Sequence, residues 1–97
     1  MKKTLQQLNI GILGGGQLGR MLIQSAIDMN LQVSVLDPDK NAPCRYLVKK
    51  FVCGSLTDHD TVYDFGKDKD LLTIEIENVN TDALRKLQRE GVHVFPQ

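Results

Sequence analysis

The segment Asn9–Leu22, NIGILGGGQLGRML, limits the possible folds more than any other part of the chain. Its first five residues form a short apolar run that is typical of a buried strand, and glycines follow directly. A helix is predicted from Gln17 to Met29, because apolar or small side chains recur there at helical spacing, at Leu18, Leu22, Ser25, Ala26 and Met29. Asn30 stands where a left-handed C-cap is expected. The segment therefore predicts a strand, a glycine turn and a helix.

The rest of the chain repeats this alternation of strands and helices. Further strands are predicted at Leu31–Leu36, 50–54, Asp70–Ile76 and Val92–Phe95, and Arg45–Val48 is predicted as one helical turn. A helix is predicted over 59–65, with an N-cap at Thr57 or Asp58 and an end at Gly66. A last helix is predicted after an N-cap at Asn80 or Thr81, with Gly91 as its C-cap. Its core residues are Ala83, Leu84 and Leu87. The fold class is therefore α/β, a Rossmann-like doubly wound parallel sheet of about five strands.

Length and charge exclude several classes of protein. Ninety-seven residues make one domain, 1–97, and since the predicted elements end on a strand we expect a fragment of a longer protein. Twelve basic and twelve acidic residues give zero net charge, so neither nucleic acid nor a membrane is an expected partner. No apolar run reaches the roughly 18 residues of a membrane span, and a cytoplasmic location follows as the default. The two cysteines, Cys44 and Cys53, lack metal-site spacing and are expected to be reduced.

The glycines form a G-x-G-x-x-G pattern at Gly14, Gly16 and Gly19. Between a strand and a helix, such a turn exposes backbone N–H groups where the helix dipole favours an anion. Asp37 follows Gly16 by about twenty residues, at the end of the second strand, where an acidic residue receives the ribose of a dinucleotide. A dinucleotide is one interpretation. The other is a purely structural turn in which Asp37 caps a loop.

A second group of polar residues, in TIEIENV, changes this balance. If the fourth strand stays extended, Ile74 and Ile76 share one face while Glu75 and Glu77 share the other. Glu75 then lies at the carboxyl end of the strand and can face the same crevice as the glycine loop. A carboxylate there would repel a diphosphate, so we expect a smaller ligand with hydrogen-bond donors, such as an amine or a sugar hydroxyl.

Four segments in order, IGILGGGQLGRML, VSVLDPDKNAPC, TIEIENVNTDALRKL and GVHVFP, resemble the N-terminal, pre-ATP-grasp domain of 5-(carboxyamino)imidazole ribonucleotide synthetases. The resemblance covers about residues 9–96. It implies an ATP-dependent ligase of purine biosynthesis that activates bicarbonate as carboxyphosphate and carboxylates 5-aminoimidazole ribonucleotide. Related formyltransferases of glycinamide ribonucleotide carry Glu where this chain has Gln17. Cys44 stands where many relatives have a small residue, a change expected to affect packing only.

The resemblance also implies roles for individual residues and partners. Gly16, Gln17 and Leu18 would lie against the ribonucleotide, and Glu75 would accept hydrogen bonds from it. Secondary candidates for the same site are Gly14, Gly15, Gly19 and Asp37. The family is cytoplasmic and commonly dimeric, and it holds ATP, magnesium and the catalytic residues in domains beyond this segment. We therefore expect no catalytic residue, metal or cofactor within residues 1–97, and no turnover by this segment alone.

Two other classes of function compete with this hypothesis. An NAD(H)-binding regulatory module would share the glycine loop and the acidic residue after the second strand. A structural or dimerisation domain with an unused loop would bind no nucleotide.

Overall fold

Five short, largely apolar segments pair into one parallel sheet in the part of the chain that the structure describes, residues 4–48, 50–76 and 78–95. The structure is a computed structural model. After a 3-10 turn at Leu5–Gln7 the elements are β1 (Asn9–Leu13), α1 (Gln17–Asp28), β2 (Gln32–Asp37), β3 (Lys50–Cys53), α2 (His59–Gly66), β4 (Leu71–Ile74), α3 (Thr81–Arg89) and β5 (His93–Phe95). The predicted α/β fold with about five parallel strands is confirmed.

The strand order β3-β2-β1-β4-β5 places β1 at the centre of the sheet. Leu13, its last residue, is level with Leu36 of β2 on one side and with Ile74 of β4 on the other. Since the chain builds outward from β1 first on one side and then on the other, the carboxyl end of β1 is the point where the winding reverses. Ligands of open α/β sheets bind at this point.

The sheet is covered on both faces, and its central strands therefore bury successive residues on opposite sides. Ile12 and Leu13 are neighbours in β1, yet they belong to different cores. One core, with α2 and α3, contains Leu13, Leu36, Leu56, Val62, Phe65, Leu72, Val79, Ala83, Leu84, Leu87, Val92 and Val94. The other, with α1 and the segment after β2, contains Ile12, Ile23, Val33, Val35, Ala42 and Cys44.

Helix ends follow the predicted chemistry. Asp58 caps α2 by accepting a hydrogen bond from Thr61 N, and Asn80 caps α3 by accepting one from Ala83 N at 2.9 Å. Asn30 has a φ of 62°, so the predicted left-handed residue after α1 is confirmed. Gly91 was predicted as the C-cap of α3; the C-cap is Glu90, and Gly91 is the left-handed residue that follows it, with a φ of 101°. Asp58 and Asn80 thus set where α2 and α3 begin, and left-handed residues follow α1 and α3.

The sequence predicts a wider buried face for α1 than the structure shows. Met29 was expected in the core, but it is 53% exposed, whereas Ile23 is fully buried and Ala26 is half-buried. Ile23 and Ala26 pack against the core beside α1. Met29 is the C-cap residue that follows the last helical residue, Asp28.

Three further local predictions need correction. The fourth strand was predicted to Ile76 but β4 ends at Ile74, because the last residue of β1, Leu13, pairs with Ile74. Glu75 N still bonds to Leu13 O, but β1 has no residue left to pair with positions 75 and 76. Gly66 was expected to end α2 as a cap; it is instead the last helical residue, and it is glycine because a Cβ there would lie 2.6 Å from Leu87 Cδ1. The helical turn predicted at 45–48 is a pair of successive turns, with Arg45 N bonded to Ala42 O and Leu47 N bonded to Cys44 O.

Candidate functional site

The glycine loop and Glu75 meet at the carboxyl end of the central strands. Gly14 N donates to Leu36 O at 2.8 Å, and Glu75 N donates to Leu13 O at 3.0 Å, so both segments continue the ladder for one more residue. A Cβ on residue 14 would lie 2.9 Å from Ile76 Cγ2 and 3.6 Å from Glu75 Cβ. The loop after β1 therefore lies directly beside the segment after β4.

Gly14 is the turning residue of this loop. Its φ of 107° lies in the region that residues with a side chain rarely adopt, and Ile76 occupies the space that a Cβ would need. Both observations require glycine. They also explain how the chain leaves β1 after Leu13 and begins α1 at Gln17, with three loop residues between them.

Asp37, the last residue of β2, bonds to the glycine loop itself. Its Oδ2 accepts a hydrogen bond from Gly15 N at 2.6 Å, and its Oδ1 accepts one from Asp39 N at 2.8 Å. Both carboxylate oxygens therefore have backbone partners. This is the arrangement expected if Asp37 caps a loop.

Gly15 is also enclosed by β2 and by the segment that follows it. A Cβ at position 15 would lie 2.5 Å from Cys44 Sγ and 3.2 Å from Val35 Cγ1. Cys44 is fully buried, and this burial is the main cause that raises the pKa of its thiol. A buried thiol with a raised pKa packs as an apolar group, as the sequence predicted for this position.

Gly16 differs from its neighbours because it is exposed and because a Cβ on it would meet no described atom within 4 Å outside its chain neighbours. It occupies the N-cap position of α1, where no side chain caps the helix. The first N–H groups of a helix lack partners within that helix, and the helix dipole makes this end favourable for an anion. The backbone at Gly16 is therefore the open wall of the loop.

The remaining predicted residues divide into described and undescribed groups. Gln17, Leu18 and Gly19 form the first turn of α1 directly after Gly16, but the side chains of Gln17 and Leu18 lie outside the described part of the structure. Glu77, and with it the predicted pairing of Glu75 with Glu77, also lies outside the described residues. Glu75 is half-buried at the end of β4. The described site thus consists of Gly14 to Gly16, with Asp37 on one side and Glu75 on the other.

This geometry offers two kinds of hydrogen-bonding group. Because residues 37 and 75 each stand one position beyond a pair that includes Leu13, their backbones are two strand spacings apart, about 10 Å. The glycine loop lies between them. Its backbone can donate hydrogen bonds, and the neighbouring Glu75 carboxylate can accept them. Such a site suits a ligand that has both an anionic group and hydroxyl or amino donors.

Sequence reasoning missed two contacts of this site. Ile76 packs against Gly14, and Cys44 packs against Gly15. Neither carries a signal in the sequence, because each contact joins segments that are far apart along the chain. Cys44 and Cys53 are both free, and no group of three His, Cys, Asp or Glu side chains that could hold a metal occurs among residues 4–48, 50–76 and 78–95. Within those ranges, no helix has both the length and the apolar character that crossing a membrane requires.

The fold and the loop define a Rossmann-like domain with its candidate site at the point where the winding of the sheet reverses. The sequence matches the profile of the ribonucleotide synthetase preATP-grasp domain over residues 7–97, and the chain therefore belongs to this family. The resemblance inferred from the glycine loop and the segment around Glu75 is thereby confirmed.

Individual relatives agree with this assignment. Over 93 residues the chain is 43% identical to phosphoribosylaminoimidazole carboxylase, chloroplastic, of Vigna aconitifolia, covering 96% of this chain and 17% of that protein. Its fold is similar to that of N5-carboxyaminoimidazole ribonucleotide synthetase from Thermotoga maritima, with a TM-score of 0.86, 33% identity, and coverage of 93% of this chain and 25% of the other.

A third relative has been solved with ligands. It is N5-carboxyaminoimidazole synthase from Aspergillus clavatus in complex with ADP and 5-aminoimidazole ribonucleotide, with a TM-score of 0.85, 40% identity, and coverage of 97% of this chain and 25% of the other. The chain thus spans a quarter or less of the length of each of these three relatives.

Proposed function

We propose that this chain is the ribonucleotide-binding part of an ATP-dependent ligase that carboxylates 5-aminoimidazole ribonucleotide. The observation that carries the proposal is the contact between the glycine loop and the segment of Glu75 in a domain of the ribonucleotide synthetase family. The names of the relatives support the same reaction, and one relative has been solved with this ribonucleotide. Two independent kinds of evidence therefore agree.

The proposed role of these residues is to bind and orient the ribonucleotide. Gly16, Gln17 and Leu18 would present backbone N–H groups at the start of α1, and Glu75 would accept hydrogen bonds from hydroxyl or amino groups of the same molecule. Gly14, Gly15, Gly19 and Asp37 would support the loop. Holding the exocyclic amine in a fixed orientation favours its attack on the activated carboxyl group by reducing the entropy that the reaction must lose.

The remainder of the reaction is assigned to the parent enzyme. There, ATP with Mg²⁺ would activate bicarbonate as carboxyphosphate, and ADP and phosphate would be released after carboxylation. The described residues gather no metal ligands, so no step of this chemistry is given to them. We further propose a cytoplasmic homodimer without nucleic acid or membrane partners, in which this 97-residue segment by itself does not turn over substrate.

The alternative of a dinucleotide-binding module is disfavoured by Asp37. In dinucleotide-binding domains the acidic residue after β2 receives the ribose. Here both oxygens of Asp37 already accept a hydrogen bond from a backbone N–H group, one of them in the glycine loop itself. The family match and the relative solved with a ribonucleotide also favour a ribonucleotide over a dinucleotide.

The proposal predicts selective binding that depends on Glu75. In ¹H–¹⁵N spectra of this chain, addition of 5-aminoimidazole ribonucleotide should shift the amide resonances of Gly16 and Glu75, whereas NADH should not. Substitution Glu75→Gln removes the negative charge while preserving size, so the dissociation constant for the ribonucleotide should rise by about tenfold.

Glu90→Gln is the matched control. Glu90 is exposed at the end of α3, so this substitution makes the same chemical change at a position away from the loop. It should bind the ribonucleotide as the unsubstituted chain does. Shifts caused by NADH at low concentration, together with no response to the ribonucleotide, would refute the proposal and favour the dinucleotide module. Equal weakening by both substitutions would show that Glu75 has no specific role.

A further inference from the structure

Asp37 links the glycine loop to the rigid edge of the sheet. Its carboxylate holds Gly15 N through Oδ2 and Asp39 N through Oδ1. The backbone of Asp37 is fixed as well, because its carbonyl oxygen accepts a hydrogen bond from Gly54 N at 3.0 Å, directly after β3. A single residue therefore connects three segments at the carboxyl end of the sheet.

The bond to Gly15 has a consequence for ligand binding. In a glycine loop at a helix N-terminus, the anion that accepts the backbone N–H groups ordinarily comes from the ligand. Here the chain supplies its own carboxylate to Gly15, whereas Gly16, the next residue, is exposed and has no side-chain cap. The loop is thus divided into an internally bonded half and an open half.

Building on the proposed function, we propose that Asp37 is a positioning residue of the ribonucleotide site: through Gly15 it fixes Gly16 towards the ligand, and it does not contact the ligand itself. Cys44 and Val35 pack around Gly15 as well, so the core limits how far this residue can move.

The hydrogen bond can be tested without any ligand. A charge-assisted bond should place the Gly15 amide proton strongly downfield, and Asp37→Asn should move it upfield by more than any amide that does not bond to Asp37. Asp39→Asn is the matched control: it removes the same charge from the same loop, but the Asp39 carboxylate bonds to Asn41 N and not to Gly15. It should leave the Gly15 resonance in place.

The positioning role is tested with 5-aminoimidazole ribonucleotide as the probe. Asp37→Asn should weaken binding by about tenfold and Asp37→Ala by more, since asparagine retains one acceptor oxygen and alanine retains none. Asp39→Asn should bind as the unsubstituted chain does. At saturating ribonucleotide the ¹³C resonance of the Asp37 carboxyl group should stay unchanged, because its two backbone partners stay the same, whereas that of Glu75 should shift.

Each result decides between defined alternatives. An unchanged Gly15 resonance in Asp37→Asn, or a ribonucleotide-induced shift of the Asp37 carboxyl group as large as that of Glu75, would overturn the positioning role. If the variants fail to fold, the carboxyl measurement on the unsubstituted chain decides alone. The complete absence of a ribonucleotide response in the unsubstituted chain would instead refute the proposed function and the ligand part of this inference, while the ligand-free measurement would still decide the bond.

Discussion

Adjacent glycines in the loop are required for different reasons. Gly14 needs a positive φ, Gly15 has no room for a side chain, and Gly16 has both an ordinary φ and free space around it. The fold therefore needs glycine at positions 14 and 15, whereas at position 16 glycine is one of several residues that suit a helix N-cap. Under the proposed function, Gly16 would also let a ligand approach its backbone closely.

This contrast predicts that two alanine substitutions lower the free energy of unfolding by different amounts. Gly15→Ala should lower the free energy of unfolding by about 1–3 kcal/mol, because the new methyl group would lie 2.5 Å from Cys44 Sγ in a packed core. Gly16→Ala should cost at most about 1 kcal/mol, the loss expected when alanine replaces glycine at an N-cap. Urea unfolding followed by circular dichroism measures both.

A double substitution identifies the cause of the Gly15 effect. Cys44→Ala removes the sulfur that the new methyl group would meet, so Gly15→Ala with Cys44→Ala should be less destabilised than the sum of the two single variants. Strict additivity would show that the clash with Cys44 is not the cause. A loss of stability in Gly16→Ala as large as that in Gly15→Ala would contradict the assignment of Gly16 to the open wall.

At the scale of elements, α3 depends on a residue that also joins it to the rest of the chain. Asn80 Oδ1 accepts a hydrogen bond from Ala83 N, and Asn80 Nδ2 donates one to Thr57 O at 3.1 Å. The sequence left Asn80 and Thr81 as equal candidates for the N-cap. The structure selects Asn80, because Thr81 is already the first helical residue.

Asn80→Ala should therefore lower the free energy of unfolding by about 1–2 kcal/mol, since it removes the cap and the bond to Thr57 together. Thr81→Ala is the natural control, and it should change stability by less than about 0.5 kcal/mol because Thr81 is exposed and does not cap the helix. Thermal unfolding of both variants tests the assignment. A larger loss in Thr81→Ala than in Asn80→Ala would reverse it.

The elements were predictable to the extent that their signals are local. The second strand, predicted over Leu31–Leu36 and observed one residue later, the caps before α2 and α3, and the left-handed residues Asn30 and Gly91 are each set by neighbouring residues. The exposure of Met29 and the end of β4 depend on where other segments stop or pack. The bond between Asp37 and Gly15 belongs to this second kind, because it joins residues 22 positions apart.

At the scale of the whole molecule, one sheet separates two cores of different construction. Two helices cover one face, whereas α1 and an irregular segment after β2 cover the other. The candidate site lies above the end of β1, which contributes Leu13 to the first core and Ile12 to the second. The glycine loop therefore depends on both cores at once, and the two faces should not unfold separately.

This expectation can be measured with one small truncation in each core. Ile23→Val in α1 and Val62→Ala in α2 both remove atoms from fully buried side chains. Ile23→Val should cost about 0.5–1.5 kcal/mol, and Val62→Ala, which removes two carbon atoms, about 1–3 kcal/mol. Because the two residues belong to separate cores, the combined variant should show the sum of the single effects within about 0.5 kcal/mol.

In urea, the native methyl resonances of the Ile23 and Val62 regions should disappear with the same midpoint as each other in every variant, since both cores share the central strands. Earlier loss of the Ile23 region in Ile23→Val, with the Val62 region still native, would show that the face covered by α1 unfolds on its own and that the glycine loop can open without disruption of the opposite core.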